Sequence, residues 1–302
     1  MAAELNAFIR DSDIVRELAR PDNRLVMVIG GSDSGKTTLV KIIAHSFSES
    51  TGVGIVDLDM GQSHIGPPTS VAWGKIQGEF KEWEDIVCED FYFTGTTTPL
   101  GSLLPTVVGA KLLMDRAVLS CEKVVIDTSG LIGEPAGRVL KQFKVDILSP
   151  DIVLALERSN ELNHIIEGFR FQKRPRIYRI EVPATAKLKS ATMRSHYRFE
   201  KFMKYFKDAR VIEISRKGVG MRSTGGSTGF GPQDLRNRIV SFRDDENRDI
   251  SLGIIEEVTA GETVFLIRTP MEGRAKISAI VVGKAELDRT NKELRNNSSK
   301  KR

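Results

Sequence analysis

The segment Gly30-Gly31-Ser32-Asp33-Ser34-Gly35-Lys36-Thr37 constrains this chain more than any other. It lies between an apolar run, Leu25 to Ile29, that predicts a strand and a run, Thr38 to Ala44, that predicts a helix. A strand that ends in glycines and turns directly into a helix points several backbone N–H groups, and the positive end of the helix dipole, at one small volume. Polyphosphate fits that volume. Lys36 would reach the terminal phosphates as a point charge, and the Thr37 hydroxyl would hold the Mg²⁺ that bridges them.

The chain has 302 residues, which at about 100 to 200 residues per domain predicts two domains. Hydrophobic residues at 40% and charged residues at 28% exclude a disordered or fibrous chain. Residues 1 to 20 carry Glu4, Arg10, Asp11, Asp13, Arg16 and Glu17, and no apolar run reaches the ~18 residues of a membrane span. The expectation is a cytoplasmic protein with no membrane partner. Cys88 and Cys121 have no His or Cys neighbours at ligand spacing, which predicts buried reduced thiols and no zinc.

Charge is unevenly spread. Between Ile165 and Val219 there are 15 Lys and Arg against 5 Asp and Glu, whereas the rest of the chain has 30 against 35. A basic block of that kind is the electrostatic footprint of a polyanion partner.

Residues 1–22 read as a helical lead-in, with Ile14, Val15 and Leu18 at helical spacing and Pro21 as the stop. Leu25 to Ile29, Val53 to Leu58, Phe91 to Phe93, Lys123 to Ile126 and Ile152 to Leu156 are short apolar runs separated by helix-length segments. This pattern predicts an α/β fold with a parallel sheet covered on both faces and ligands at the carboxyl ends of the strands. The domain would span 23–217, with a basic lid region about 165–210. Within it, Lys189 to Phe206 predicts a helix with Phe199, Phe202, Met203 and Phe206 facing inward and Arg194, Arg198 and Lys201 on the other side. Six glycines between Gly218 and Gly231 predict a linker over 218–232. A small β domain over 233–290 and a disordered basic tail over 291–302 complete the reading.

Asp57 and Asp59 end one predicted strand and Asp127 another, at the edge where a loop-bound nucleotide would present its last phosphate. Asp59 projects further and is the better proton acceptor, and Asp127 is a candidate for Mg²⁺ through water.

Taken together, Gly30 to Thr38, Asp57-Leu58-Asp59-Met60-Gly61-Gln62 followed by Gly66-Pro67-Pro68-Thr69, Gly95-Thr96-Thr97-Thr98-Pro99, Asp127-Thr128-Ser129-Gly130 and the helix around Arg194 and Arg198 resemble the polynucleotide 5′-hydroxyl kinase family of RNA-processing P-loop proteins. That family includes the kinase subunit of the mRNA cleavage and polyadenylation factor and a kinase of ribosomal RNA processing. The resemblance spans about residues 24 to 210. It implies a phosphotransferase that uses ATP or GTP with Mg²⁺ and acts on a nucleic acid with a 5′-hydroxyl end, RNA before DNA. It assigns nucleotide binding to Gly30, Gly31, Ser32, Asp33, Ser34, Gly35, Lys36, Thr37, Thr38, Gln62 and Thr97, and metal binding to Thr37, Asp59 and Asp127. Lys36, Asp59, Arg194 and Arg198 would carry the catalysis, with Asp59 activating the hydroxyl and the arginines neutralising the transferring phosphoryl.

Two other functions share these motifs: a non-catalytic ATP-binding subunit of an RNA-processing assembly, and a switch-type NTPase. The second lacks its guanine-reading sequence, since Asn291-Lys292-Glu293-Leu294 has no aspartate and follows no core strand. No protein partner is legible.

Overall fold

A computed structural model describes residues 1–5, 13–48, 52–78, 80–225, 232–259, 264–272, 276–288 and 293–296. Helix α1 (Ile14–Ala19) precedes β1 (Leu25–Gly30), and α2 (Lys36–Ser48) follows the glycine loop. Next come β2 (Val53–Leu58), β3 (Ser70–Ile76), β4 (Ile86–Phe93), α3 (Leu103–Ser120), β5 (Lys123–Thr128), α4 (Ala136–Leu148), β6 (Ile152–Glu157), α5 (Asn163–Ile166) and β7 (Arg176–Glu181). The strands form one sheet in the order β4-β3-β2-β5-β1-β6-β7. Five are parallel, and β3 and β4 add an antiparallel edge that includes the predicted Phe91 to Phe93 strand.

Alternate residues of β1 explain why its sequence is continuously apolar. Val26 and Val28 pack with Leu39, Val40 and Ile43 of α2, while Met27 and Ile29 pack with Leu113 and Met114 of α3 and Val145 of α4. A strand buried on both faces has no solvent side to make polar.

Helix α6 (Ala191–Tyr205) starts at Ser190, whose hydroxyl accepts the Met193 amide at 3.1 Å, a standard N-cap. It leads into a second sheet of β8 (Arg210–Ser215), β9 (Gly220–Ser223), β10 (Arg238–Arg243), β11 (Asp249–Val258), β12 (Val264–Thr269), β13 (Ala279–Asp288) and β14 (Glu293–Asn296), with α7 (Pro232–Leu235) before β10. Its order is β14-β13-β10-β11-β12-β8, antiparallel, with β9 alongside β13 in parallel. One face packs on Phe202 and Phe206 of α6 and on Phe93 of β4.

Several expectations change. The segment read as a linker contributes β9, because Gly220 to Ser223 pair with Ala279 to Val282; its residues 226–231 lie outside the described residues. The sheet also recruits β8, ahead of that segment. Part of the segment read as a disordered tail is β14, paired with β13. On α6, Met203 is 46% exposed rather than inward-facing, whereas Phe199, Phe202, Tyr205 and Phe206 pack toward the sheet. Cys121 is buried, but Cys88, on the outermost strand β4, is exposed. Among the described residues no helix is long and apolar enough to cross a membrane.

Candidate active site

The glycine loop begins where β1 is pressed against β6. A Cβ at Gly30 would lie 2.6 Å from the Ser34 hydroxyl and 2.7 Å from the Leu156 carbonyl, so only glycine fits there. Asp33 (φ 56°) and Gly35 (φ 93°) then turn the chain through left-handed backbone into α2. The Lys36 ammonium is buried and donates to the Gly31 carbonyl at 2.6 Å. Burial pulls its pKa down, opposed by the charges of Asp127, Asp59 and Asp33. A cation held this way gains from any anion that enters the loop.

Asp57 and Asp127 are register partners at the ends of β2 and β5, and both are buried. Burial raises both carboxyls above the usual carboxylate range, and the charge of Asp57 raises Asp127 further. Their surroundings divide their roles. Asp57 accepts the amides of Asp59 at 3.0 Å and His64 at 2.6 Å, so it ties down the turn that follows β2. Asp127 accepts the Thr37 hydroxyl at 2.7 Å through Oδ2, and its buried Oδ1 has no hydrogen-bond partner among the described residues.

Asp59 is half-buried on the wall of a cavity of about 300 Å³ above the loop. Its Oδ1 accepts the amides of Gly61 at 3.0 Å and Gln62 at 3.1 Å. Among the described residues its Oδ2 accepts no hydrogen bond. Ser32, Asp33, Gly35, Lys36, Thr37, Thr38 and Gln62 line the same cavity, so most of the residues singled out in the sequence converge.

Thr97, Arg194 and Arg198 stand apart from that lining. The Thr97 carbonyl abuts the turn after Asp59, 2.8 Å from where a Cβ of Gly61 would lie. Arg194 is drawn to the loop from the far side, with its Nη1 2.8 Å from Asp33 Oδ2. The Lys189 amide donates to the same oxygen at 2.9 Å, and Lys189 Nζ to Gln62 Oε1 at 3.2 Å, so the start of α6 is fastened to both sides of the cavity. Arg198 Nε is buried and has no hydrogen-bond partner among the described residues. Burial and the neighbouring Arg194 lower its pKa, and the charge of Asp59 opposes them.

Among the cavity residues that escaped the sequence reading are His64, Trp83, Lys187 and Lys189. The two lysines lay inside the basic block, a usable signal. The aromatic pair had none, because Trp83 sits in the acidic stretch Lys81-Glu82-Trp83-Glu84-Asp85 and His64 in a glycine-flanked turn. The basic block itself is smaller as a surface than as a sequence. Arg174, Arg176 and Arg179 on and beside β7 pair with Asp151, Glu17 and Glu157. The footprint facing the site therefore narrows to Lys187, Lys189, Arg198, Lys201 and their neighbours.

Comparison with known proteins gives this geometry a context. A family model described as mRNA cleavage and polyadenylation factor CLP1 P-loop matches residues 30–208. Over 200 residues, 66% of this chain and 55% of the relative, the sequence is 34% identical to a polyribonucleotide 5′-hydroxyl-kinase of Methanocaldococcus jannaschii. A polyribonucleotide 5′-hydroxyl-kinase of Pyrococcus horikoshii is 37% identical over 66% of this chain and 54% of its own. The chain thus spans about half the length of the curated relatives it matches. Among solved structures, that of a wild-type Clp1p–Pcf11p complex superposes with a TM-score of 0.71 over 94% of this chain and 78% of that one. At 13% identity this is a likeness of fold.

Proposed function

Because the chain belongs to the CLP1 P-loop family, we propose that it is a polynucleotide 5′-hydroxyl kinase, transferring the γ-phosphate of ATP or GTP to the 5′-hydroxyl end of RNA, with DNA as a second acceptor. The observation that carries this reading is Asp59: a carboxylate on the cavity wall shared with Lys36 and Thr37, with one oxygen fixed by two amides and the other unbonded among the described residues. The names of the relatives support the acceptor class.

The chemistry follows from the residues. Lys36 exchanges the Gly31 carbonyl for the β- and γ-phosphate oxygens, and the loop amides hold the remainder of the polyphosphate. The acceptor 5′-oxygen attacks the γ-phosphorus in line, the bond to the β–γ bridging oxygen breaks, and the hydroxyl proton passes to Asp59. Arg198, buried and short of a partner, is matched to the equatorial phosphoryl oxygens, and Arg194 steadies the loop through Asp33.

The donors suit Mg²⁺. Thr37 Oγ1 and the orphaned Asp127 Oδ1 are hard oxygen ligands, whereas among the described residues no three His, Cys, Asp or Glu converge to cage a metal alone. Substrate phosphates and waters would complete such a shell, as is usual for this cation. Held by Thr37 and Asp127, Mg²⁺ would supply charge neutralisation for the polyphosphate.

The test is transfer of labelled γ-phosphate from ATP and from GTP to matched 5′-hydroxyl RNA and DNA oligonucleotides. The reading expects labelled RNA, and acceptor binding that weakens with added salt as counterions are released. A preparation that binds nucleotide tightly with Mg²⁺ yet labels no oligonucleotide overturns it.

A further inference from the structure

The nucleotide cavity shares two wall residues, His64 and Trp83, with a larger groove of about 840 Å³. Their rings are stacked, with centroids 4.8 Å apart and planes at 28°. Tyr197 of α6 stands beside them, its hydroxyl 3.4 Å from both His64 Nδ1 and the Ser63 carbonyl. Lys201 Nζ lies 5.8 Å from the centre of the Tyr197 ring, and Lys201 and Lys204 line the groove from the α6 side. The opposite wall is acidic. Asp90 and Asp249 there are neutralised by Arg116 and Arg243, but Glu84 and Glu89 are exposed, so phosphates are confined to the lysine side.

The groove contains no residue of the glycine loop and begins on the segment that carries Asp59 and Gln62. It therefore lies on the acceptor side of the reaction. We propose that the stacked His64–Trp83 pair is the platform for the 5′-terminal base of the acceptor strand, with the following phosphates running along Lys201 and Lys204. This rests on the kinase reading above and adds the subsite that recognises the acceptor end. Aromatic stacking accepts any base, because every base has a π-face, and it requires the base to be out of a duplex. The enzyme then selects an unpaired terminal nucleoside and not a particular letter. Burial holds the His64 pKa below its ordinary value, which keeps the imidazole uncharged for stacking at neutral pH.

The chain has two tryptophans, which makes a direct readout available. Trp73 is buried, and its indole N–H has no partner among the described residues, so Trp73→Phe breaks no hydrogen bond there and makes Trp83 the sole indole. That variant, loaded with a non-hydrolysable ATP analogue, is titrated with a single-stranded 5′-hydroxyl oligonucleotide and with the same oligonucleotide made abasic at its first position. The platform requires quenching of Trp83 by the first, and binding about tenfold tighter than the abasic strand, the gain that base stacking provides. In the otherwise unaltered chain, Trp83→Ala should raise the acceptor KM about tenfold, well beyond any change in the nucleotide KM, and erase the preference over the abasic strand. Quenching by the ATP analogue alone would give the stack to the nucleotide's own base and overturn the proposal, as would equal affinity for the two strands. Base-dependent quenching without any phosphoryl transfer would sustain the platform while overturning the kinase reading.

Discussion

Asp57 and Asp59 stand two residues apart, yet their surroundings give them opposite duties. Asp57 spends its oxygens on the amides of the turn, while Asp59 keeps one for the cavity. Asp59→Asn preserves the Oδ1 acceptor that holds the turn but cannot take a proton. Transfer should fall by about 10² to 10⁴ with nucleotide affinity retained, as read by isothermal titration beside the transfer assay. Equal loss of both would make Asp59 structural. Of Arg194 and Arg198, Arg198→Ala should cost more turnover than Arg194→Ala, since Arg194 is already bound to Asp33 whereas Arg198 Nε has no partner among the described residues. The pH dependence of stability follows from Asp127, whose carboxyl is raised by burial and then by Asp57. An unfolded Asp titrates near pH ~4, so ionisation costs the fold stability as pH rises from there through the raised folded value, and costs nothing below it. In Mg²⁺-free buffer Asp127→Asn should therefore unfold at a higher Tm than wild type at neutral pH, with the gap closing toward pH ~4. A gap that widens on acidification would contradict this account. The carboxylates were legible because they end apolar runs. Arg198's unpaired state was not, because helical spacing reports a face and not what faces it.

At the scale of elements, the strand–loop–helix unit was readable because its glycines, Lys36 and Thr37 are consecutive and their chemistry is local. Strand β7, Arg176 to Glu181, was not readable, because as an edge strand it mixes Arg176, Arg179 and Glu181 with its apolar residues and buries little of itself. Strand β3 was also missed; its Ser, Gly and Lys interrupt the apolar signature although nearly all of it is buried. Two glycines outside the loop join elements that no local pattern could connect. A Cβ at Gly130, after β5, would lie 2.7 Å from Ser32 Cα and 2.8 Å from Ser32 N, against the backbone of the glycine loop. Gly130→Ala must push that loop, so nucleotide affinity should drop about 5- to 150-fold, the equivalent of the 1–3 kcal/mol typical of overpacking. Gly95 has φ 73°, its carbonyl accepts the amides of Lys284 and Ala285 at 2.8 Å each, and an added Cβ would lie 2.9 Å from Gly283 Cα. Gly95→Ala should lower Tm by several degrees, at about 1–3 kcal/mol, and loosen the Thr96–Pro99 turn.

At the scale of the whole molecule, the second sheet is a support for the first. It holds the Gly95 turn through β13, accepts Phe202 of α6 and Phe206 at its C-cap, and fixes the end of β4 through the Asp249 carboxylate, which accepts the Phe93 amide at 2.9 Å. We propose that the two units act as one body. A chain truncated after residue 209 should bind a hydrophobic dye and lose transfer, because Phe93, Phe202 and Phe206 would be left uncovered; a soluble, fully active truncation would refute that dependence. The sequence separated a nucleotide unit from a β unit but drew the border at the glycines, since glycine content cannot reveal that Gly220 to Ser223 find a partner strand some 60 residues later. The central claim is that Asp59 removes the proton from a polynucleotide 5′-hydroxyl facing a loop-bound nucleotide. Its most direct test is single-turnover transfer of γ-labelled phosphate from ATP to a 5′-hydroxyl RNA by wild type and Asp59→Asn, both saturated with nucleotide. The account predicts labelled RNA from wild type and at least ~10²-fold slower labelling by the variant; equal rates, or no labelling by either, would contradict it.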